Sequence, residues 1–186
     1  MKTTLNKIRS HAPCTSGWEK LLTYLGKTKA DDEPLAITTI IDSNGLDDAL
    51  WCLRAVEGYD RELRLFAVWC ARQVQHVMTD QRSLDALDVA ERYANDQATN
   101  DELAAAWSAA RAAAWDAVWS VSAARSVSAA AWSASRSAAA RATAPAAADA
   151  ADAAWTAAMA ADKDAGHEMK KKQEAELRRI CEVDLS

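Results

Sequence analysis

The sequence predicts an all-α protein of about seven helices, from three observations that agree. From Ala104 to Ala165 roughly half of the residues are alanine, the strongest helix former. Helix start and stop residues recur from one end of the chain to the other. The apolar residues between them repeat at steps of three and four instead of alternating.

The elements follow in order. Ser16 is placed to cap a helix through Trp18, Leu21, Leu22 and Leu25, with Gly26 at its end. Lys27 to Glu33 reads as a charged loop, and Pro34 suits the first turn of the next helix. Ile37 to Ile41 favours a strand by propensity, and Asn44-Gly45 suits a hairpin. The spacing of Leu46, Ala49, Leu50, Leu53 and Val56 is helical, however, so Asn44-Gly45 reads as a helix end and Gly58 as the end of the following helix. Asp60 to Met78 is the strongest core segment, with a stripe of Leu63, Phe66, Ala67, Cys70, Val74 and Val77. Leu65, Val68 and Trp69 widen that stripe, so this helix is expected to be central. Leu84, Leu87, Ala90 and Ala94 mark another helix, on which Asp88 and Arg92 form an i,i+4 pair.

Thr99-Asn-Asp-Glu102 is a capping box that opens the alanine tract. Nothing need stop that helix before Pro145, and from Asp101 to Ala142 it would run about 60 Å at 1.5 Å per residue. A compact domain of this size spans roughly 35 to 40 Å. The helix is therefore expected to break near Ser120 to Ser128 or to project towards a partner. On a continuous helix Trp107, Ala114, Val118, Val121, Arg125, Trp132 and Arg136 fall in one stripe, a close-packed seam. Pro145 restarts a helix to Ala165, Gly166 separates it from the last one, and Leu177, Ile180 and Cys181 face inward. The expected organisation is one helical domain over 1–186. It has a compact layer over 14–95, alanine-, serine- and tryptophan-rich helices over 100–165, and a C-terminal helix over 167–184.

Composition narrows the function. The net charge is −5, with a pI near 5.2, which argues against a general DNA binder. No apolar leader or membrane-length run is visible, so a cytoplasmic protein of a bacterial host is expected, without membrane association. The dispersed cysteines Cys14, Cys52, Cys70 and Cys181 are expected to be reduced and partly buried. His11-x-x-Cys14 has no second half with ligand spacing, so no metal is expected. No nucleophile-base pair and no glycine-rich phosphate loop is present, so neither an enzyme nor a cofactor is expected.

Two constellations remain as candidate binding residues. Asp31, Asp32, Glu33, Asp47 and Asp48 belong to the densest acidic cluster; solvated helix starts explain most of it, and steering of a basic partner protein is the functional reading. Arg111, Arg125 and Arg136 lie on or beside the tract's stripe; snorkelling or pairing with nearby aspartates is the plainer reading, and an anion site for a nucleotide the sharper one.

The segments Trp18-Glu-Lys-Leu-Leu22, Gly26 to Pro34, Ser43 to Val56, Arg64 to Val68 and Cys70-Ala-Arg72 carry a family resemblance. With the tract that follows, they resemble a family of small alanine-rich helical immunity proteins of bacteria, phages and prophages. The resemblance covers about residues 14 to 160. It implies neutralisation of a toxin by direct binding, and it brings no catalytic residues. The tract is richer in serine and poorer in arginine than the family pattern. The expected function is a non-enzymatic inhibitor, either an immunity protein or a phage-borne antagonist of a host defence enzyme. The alternatives are a nucleotide-sequestering protein and a structural module that forms a homodimer through the seam.

Overall fold

The computed structural model describes residues 1–116, 143–161 and 163–182. It is all-α, with nine α-helices and one two-stranded ladder among the described residues. Two compact units are present, one of residues 1–59 and 174–186, the other of residues 60–173. The expected 14–95 layer is divided between them.

In the first unit β1 (Lys2–Thr3) pairs antiparallel with β2 (Leu35–Ala36), Lys2 opposite Ala36 and Thr3 opposite Leu35. Helix α1 (Leu5–Ser10) is capped by Thr4, whose hydroxyl accepts from the Lys7 amide at 3.1 Å. Helix α2 (Thr15–Leu25) ends on Gly26 in the left-handed conformation, φ 64°. It starts two residues earlier than the expected Ser16 cap allows. The Cys14 carbonyl accepts the first helical bond from Trp18, so Ser16 falls inside the first turn. Pro34 does not open a helix either, because Leu35–Ala36 are recruited by β1, a distant pairing that no local pattern announces.

Helix α3 (Ile37–Asn44) buries Ile37, Ile40 and Ile41, which decides the strand-or-helix ambiguity for helix. Helix α4 (Leu46–Cys52) follows at once and tightens into a 3₁₀ turn over Leu53–Ala55, so it ends well before Gly58. Gly45 is both the C-cap of α3 and the N-cap of α4, at φ 98°, ψ 178°. That region is open essentially to glycine alone. Thr3 Oγ1 donates to the Ala55 carbonyl at 2.5 Å, and Met1 donates to the Cys181 carbonyl at 3.1 Å. Arg178 bridges Asp42 at 2.7 Å and Glu174 at 2.9 Å.

In the second unit α5 (Asp60–Gln73) packs on α6 (Gln81–Ala94) and on α8 (Thr143–Ala161), and α6 packs on α7 (Asn100–Asp116). Leu63, Phe66, Ala67, Cys70 and Val74 are buried as the spacing predicts, but Val77 is 45% exposed. After Val74 the chain tightens into a 3₁₀ turn over Gln75–Val77, and the change of period turns Val77 outward. The capping box forms as predicted: Glu102 N–H donates to Thr99 Oγ1 at 3.2 Å, and Thr99 N–H donates to Glu102 Oε2 at 2.7 Å. The Asp88–Arg92 pair does not form. Asp88 and Glu91 both bind Arg72, at 2.6 and 2.8 Å, while Arg92 turns to Glu102.

Helix α9 (Lys163–Glu182) runs straight through Gly166, which was expected to separate two helices. Gly166 is buried, and a Cβ there would collide with Cγ and Sδ of Met159 and lie 3.4 Å from Met159 Cα. This glycine serves close approach to α8 instead of a helix end. Leu177 and Cys181 are buried as expected, and Ile180 is half-buried. The continuity of 101–142, a break at Ser120 to Ser128, and the seam residues Val118, Val121, Arg125, Trp132 and Arg136 lie outside the described residues.

Two glycine substitutions test these assignments by thermal or denaturant unfolding. Gly45→Ala is expected to cost about 1–3 kcal/mol, the strain of a side chain in that backbone region. Gly166→Ala would gain about 1 kcal/mol of helix propensity on an open helix. Here overpacking of about 1–3 kcal/mol should cancel or reverse that gain. Met159→Ala in the same chain should restore part of the loss; a simple stabilisation by Gly166→Ala would disprove the contact.

Candidate functional site

A pocket of about 210 Å³ opens in the first unit, walled by α2, α3 and α4. Its apolar wall is formed by the buried side chains of Ile8, Leu21 and Ile40. Two half-buried indoles, Trp18 and Trp51, and two carboxylates, Asp47 and Asp48, line it as well.

Local sequence explains this arrangement. Asp47 and Asp48 occupy the first turn of α4, where negative charge is favoured by the helix dipole. Trp51 follows three and four residues later, so carboxylates and indole share one side of the helix. Asn44, the last residue of α3, ties the walls together. Its Nδ2 donates to the Gly17 carbonyl on α2 at 2.8 Å and to Asp48 Oδ2 at 2.7 Å. Ser43 Oγ donates to Asn44 Oδ1 at 2.7 Å, which fixes the amide from its other end. Gly17 permits the approach, since a Cβ there would lie 2.8 Å from Asp48 Oδ2 and 3.1 Å from Cys14 Sγ.

Two cations stand near the pocket, each turned towards a backbone carbonyl. Lys20 Nζ donates to Asn44 O at 3.4 Å. Arg54 Nε donates to Trp51 O at 2.8 Å, and its guanidinium lies 4.2 Å from the centre of the Trp51 ring. Cys14 is an exposed thiol, whereas Cys52 is buried. Burial, with the Asp48 charge adding to it, pushes the Cys52 thiol up to about 12.

The predicted acidic residues therefore separate. Asp47 and Asp48 line the pocket; Asp31, Asp32 and Glu33 do not. Lys27 reaches Asp31 at 2.6 Å and Glu33 at 2.7 Å. The Lys27 hydrogen bond holds the Asp31 carboxyl below the usual carboxylate range. Asp32 is exposed and accepts from Thr4 Oγ1 at 3.4 Å. That loop is braced by its own lysine, which reduces the charge it offers to a partner. Of the three stripe arginines, Arg111 is exposed and lies 5.3 Å from the centre of the Trp107 ring; Arg125 and Arg136 lie outside the described residues.

Sequence reading missed Trp18, Trp51, Asn44 and Gly17 as parts of one site. The available signal was the spacing of Trp51 from Asp47 and Asp48. The joining of α2 to α4 through Asn44 has no local signature.

Among the described residues, no group of three or more His, Cys, Asp or Glu side chains is placed to hold a metal ion. No helix among them is long and apolar enough to cross a membrane. No protein-family model, curated protein or solved structure matches this chain.

Thiol chemistry checks the geometry of the pocket. The thiolate is the reactive form, so with a value of about 12 only on the order of one Cys52 in ten thousand is ionised at pH 8. Brief iodoacetamide treatment of the native chain should alkylate Cys14 alone, with Cys52, Cys70 and Cys181 labelled only after denaturation, as read by peptide mass spectrometry. Rapid labelling of Cys52 would contradict the closed wall.

Proposed function

We propose that this chain is a non-enzymatic binding protein that inhibits another protein by covering its surface. It would act as an immunity protein against a toxin, or as a phage-borne antagonist of a host defence enzyme. The observation that carries this reading is the Trp18/Trp51 pocket with Asp47 and Asp48 in its lining. Tryptophan is prominent among the residues that dominate binding energy at protein interfaces. Carboxylates beside it steer a basic partner and reject an acidic one. The same residues fall within Trp18 to Leu22 and Ser43 to Val56, two of the segments that resemble immunity proteins. Inhibition would then be steric and need no reactive group on this chain.

The test is capture followed by assay. Tagged full-length chain is expected to retain a basic protein from host lysate, and the purified partner should lose its activity on stoichiometric addition. Asp47→Asn with Asp48→Asn should weaken the complex about tenfold, equivalent to about 1.4 kcal/mol. A cooperative melt, lowered by the weakened Asn44–Asp48 bond, is the folding control. Raised salt should slow association. If the chain retains only copies of itself, the inhibitor reading fails.

A further inference from the structure

The size, charge and wall chemistry of the pocket define what it can hold. Sites for drug-sized ligands run roughly 300–1,000 Å³. A pocket of about 210 Å³ is too small for a nucleotide and suits a single side chain. Its lining combines an apolar wall, two indoles and two carboxylates, and among the described lining residues there is no lysine, arginine or histidine.

Each candidate occupant can be weighed against that lining. A purely apolar side chain would satisfy Ile8, Leu21 and Ile40 but would bring no hydrogen-bond donor or positive charge to the carboxylate side of the lining. An acidic side chain would meet two like charges. An alkyl stem carrying a cationic tip fits both halves: the stem lies along the apolar wall and the tip meets the carboxylates and the indole faces. A guanidinium suits this best, since it is planar, pairs with carboxylates in a fork and stacks on aromatic rings. Arg54 already shows that stacking on Trp51 within the chain. Asp48 is held in position by Asn44, so it needs no rearrangement to receive the tip.

We infer that the pocket between α2 and α4 is a slot for one basic side chain, an arginine or lysine, presented by the protein that this chain binds. The slot rests on the protein-binding reading for its partner, and its chemistry can be tested without one. The probe is n-butylguanidinium, with n-butylurea as the neutral analogue of similar shape and butyrate as the anion. Each is titrated into the ¹⁵N-labelled full-length chain while the indole N–H resonances are followed. Trp18→Phe and Trp51→Phe assign the two signals of interest.

n-Butylguanidinium is expected to shift the Trp18 and Trp51 signals saturably, with millimolar affinity. n-Butylurea should bind at least tenfold more weakly and butyrate not at all. The Asp47→Asn, Asp48→Asn chain, shown folded by its melting temperature, should lose at least tenfold in affinity for the cation. Equal binding of the urea, an unchanged affinity in the double variant, or no shift at either indole would overturn the slot. The two proposals fail separately. Asp47- and Asp48-dependent binding of the probe with no partner captured removes the inhibitor and keeps the slot chemistry. A captured partner that excess n-butylguanidinium cannot displace, and that the double variant binds unchanged, removes the slot and keeps the inhibitor.

Discussion

The geometry of the site depends on one backbone constraint, the conformation of Gly45. At φ 98°, ψ 178° it ends α3 and starts α4 as the single residue between them. A side chain at that position would strain the turn by about 1–3 kcal/mol. Because the turn has no slack, the last residue of α3 and the first turn of α4 stay together. That places Asn44 where one amide group reaches both the Gly17 carbonyl and the Asp48 carboxylate. A hydrogen bond to a charged group contributes about 1.5–3 kcal/mol, roughly twice a neutral one. The Asn44 bridge therefore adds to the tight turn in holding α2 and α4 together at the pocket wall.

The second unit solves a different packing problem. The buried face of α8 is made of Ala147, Ala150, Ala151, Ala154, Ala157 and Ala158. Each methyl contributes only about 0.8 kcal/mol of apolar burial, so this face cannot supply much stability by area alone. It supplies proximity, because helices faced with small residues approach to the lower end of the usual 8–10 Å range. The larger buried side chains of this unit sit on other helices, with Leu63 and Phe66 on α5, Leu87 on α6 and Leu103 on α7. Gln173 follows the same logic: it is buried on α9 and its amide donates to the Ala151 carbonyl at 2.8 Å. A buried amide without that partner would cost about 1–3 kcal/mol, so the pair specifies register where alanine cannot.

What could be read from the sequence divides along the range of the forces involved. The all-α class, the α3 end at Asn44-Gly45, the Thr99–Glu102 capping box and the buried stripe of α5 are set by neighbours three or four residues away, and all were legible. The misreadings share a cause. Leu35–Ala36 became a strand through a partner more than thirty residues earlier, Asp88 chose Arg72 over Arg92, and Gly166 marks a close approach to Met159. Val77 turned outward when the helix tightened, a change of period that a fixed 3.6-residue template cannot register. At the site, the acidic residues were visible as charge, but charge alone grouped Asp31 to Glu33 with Asp47 and Asp48. Lys27 separates them, because it occupies Asp31 and Glu33.

That separation bears on where the proposed recognition would reside in the chain. The alanine tract dominates the composition, yet low complexity gives it few distinctive positions. Residues 14–56 hold most of the side chains that line the pocket. Asn44 and Asp48 spend polar groups on shaping a pocket wall, and Trp18 and Trp51 remain half-buried although their apolar area would favour a full core position. Their grouping in one pocket is the observation on which the proposed binding role rests. The aliphatic core beneath them, Ile8, Leu21 and Ile40, supplies the rigidity that such a role requires.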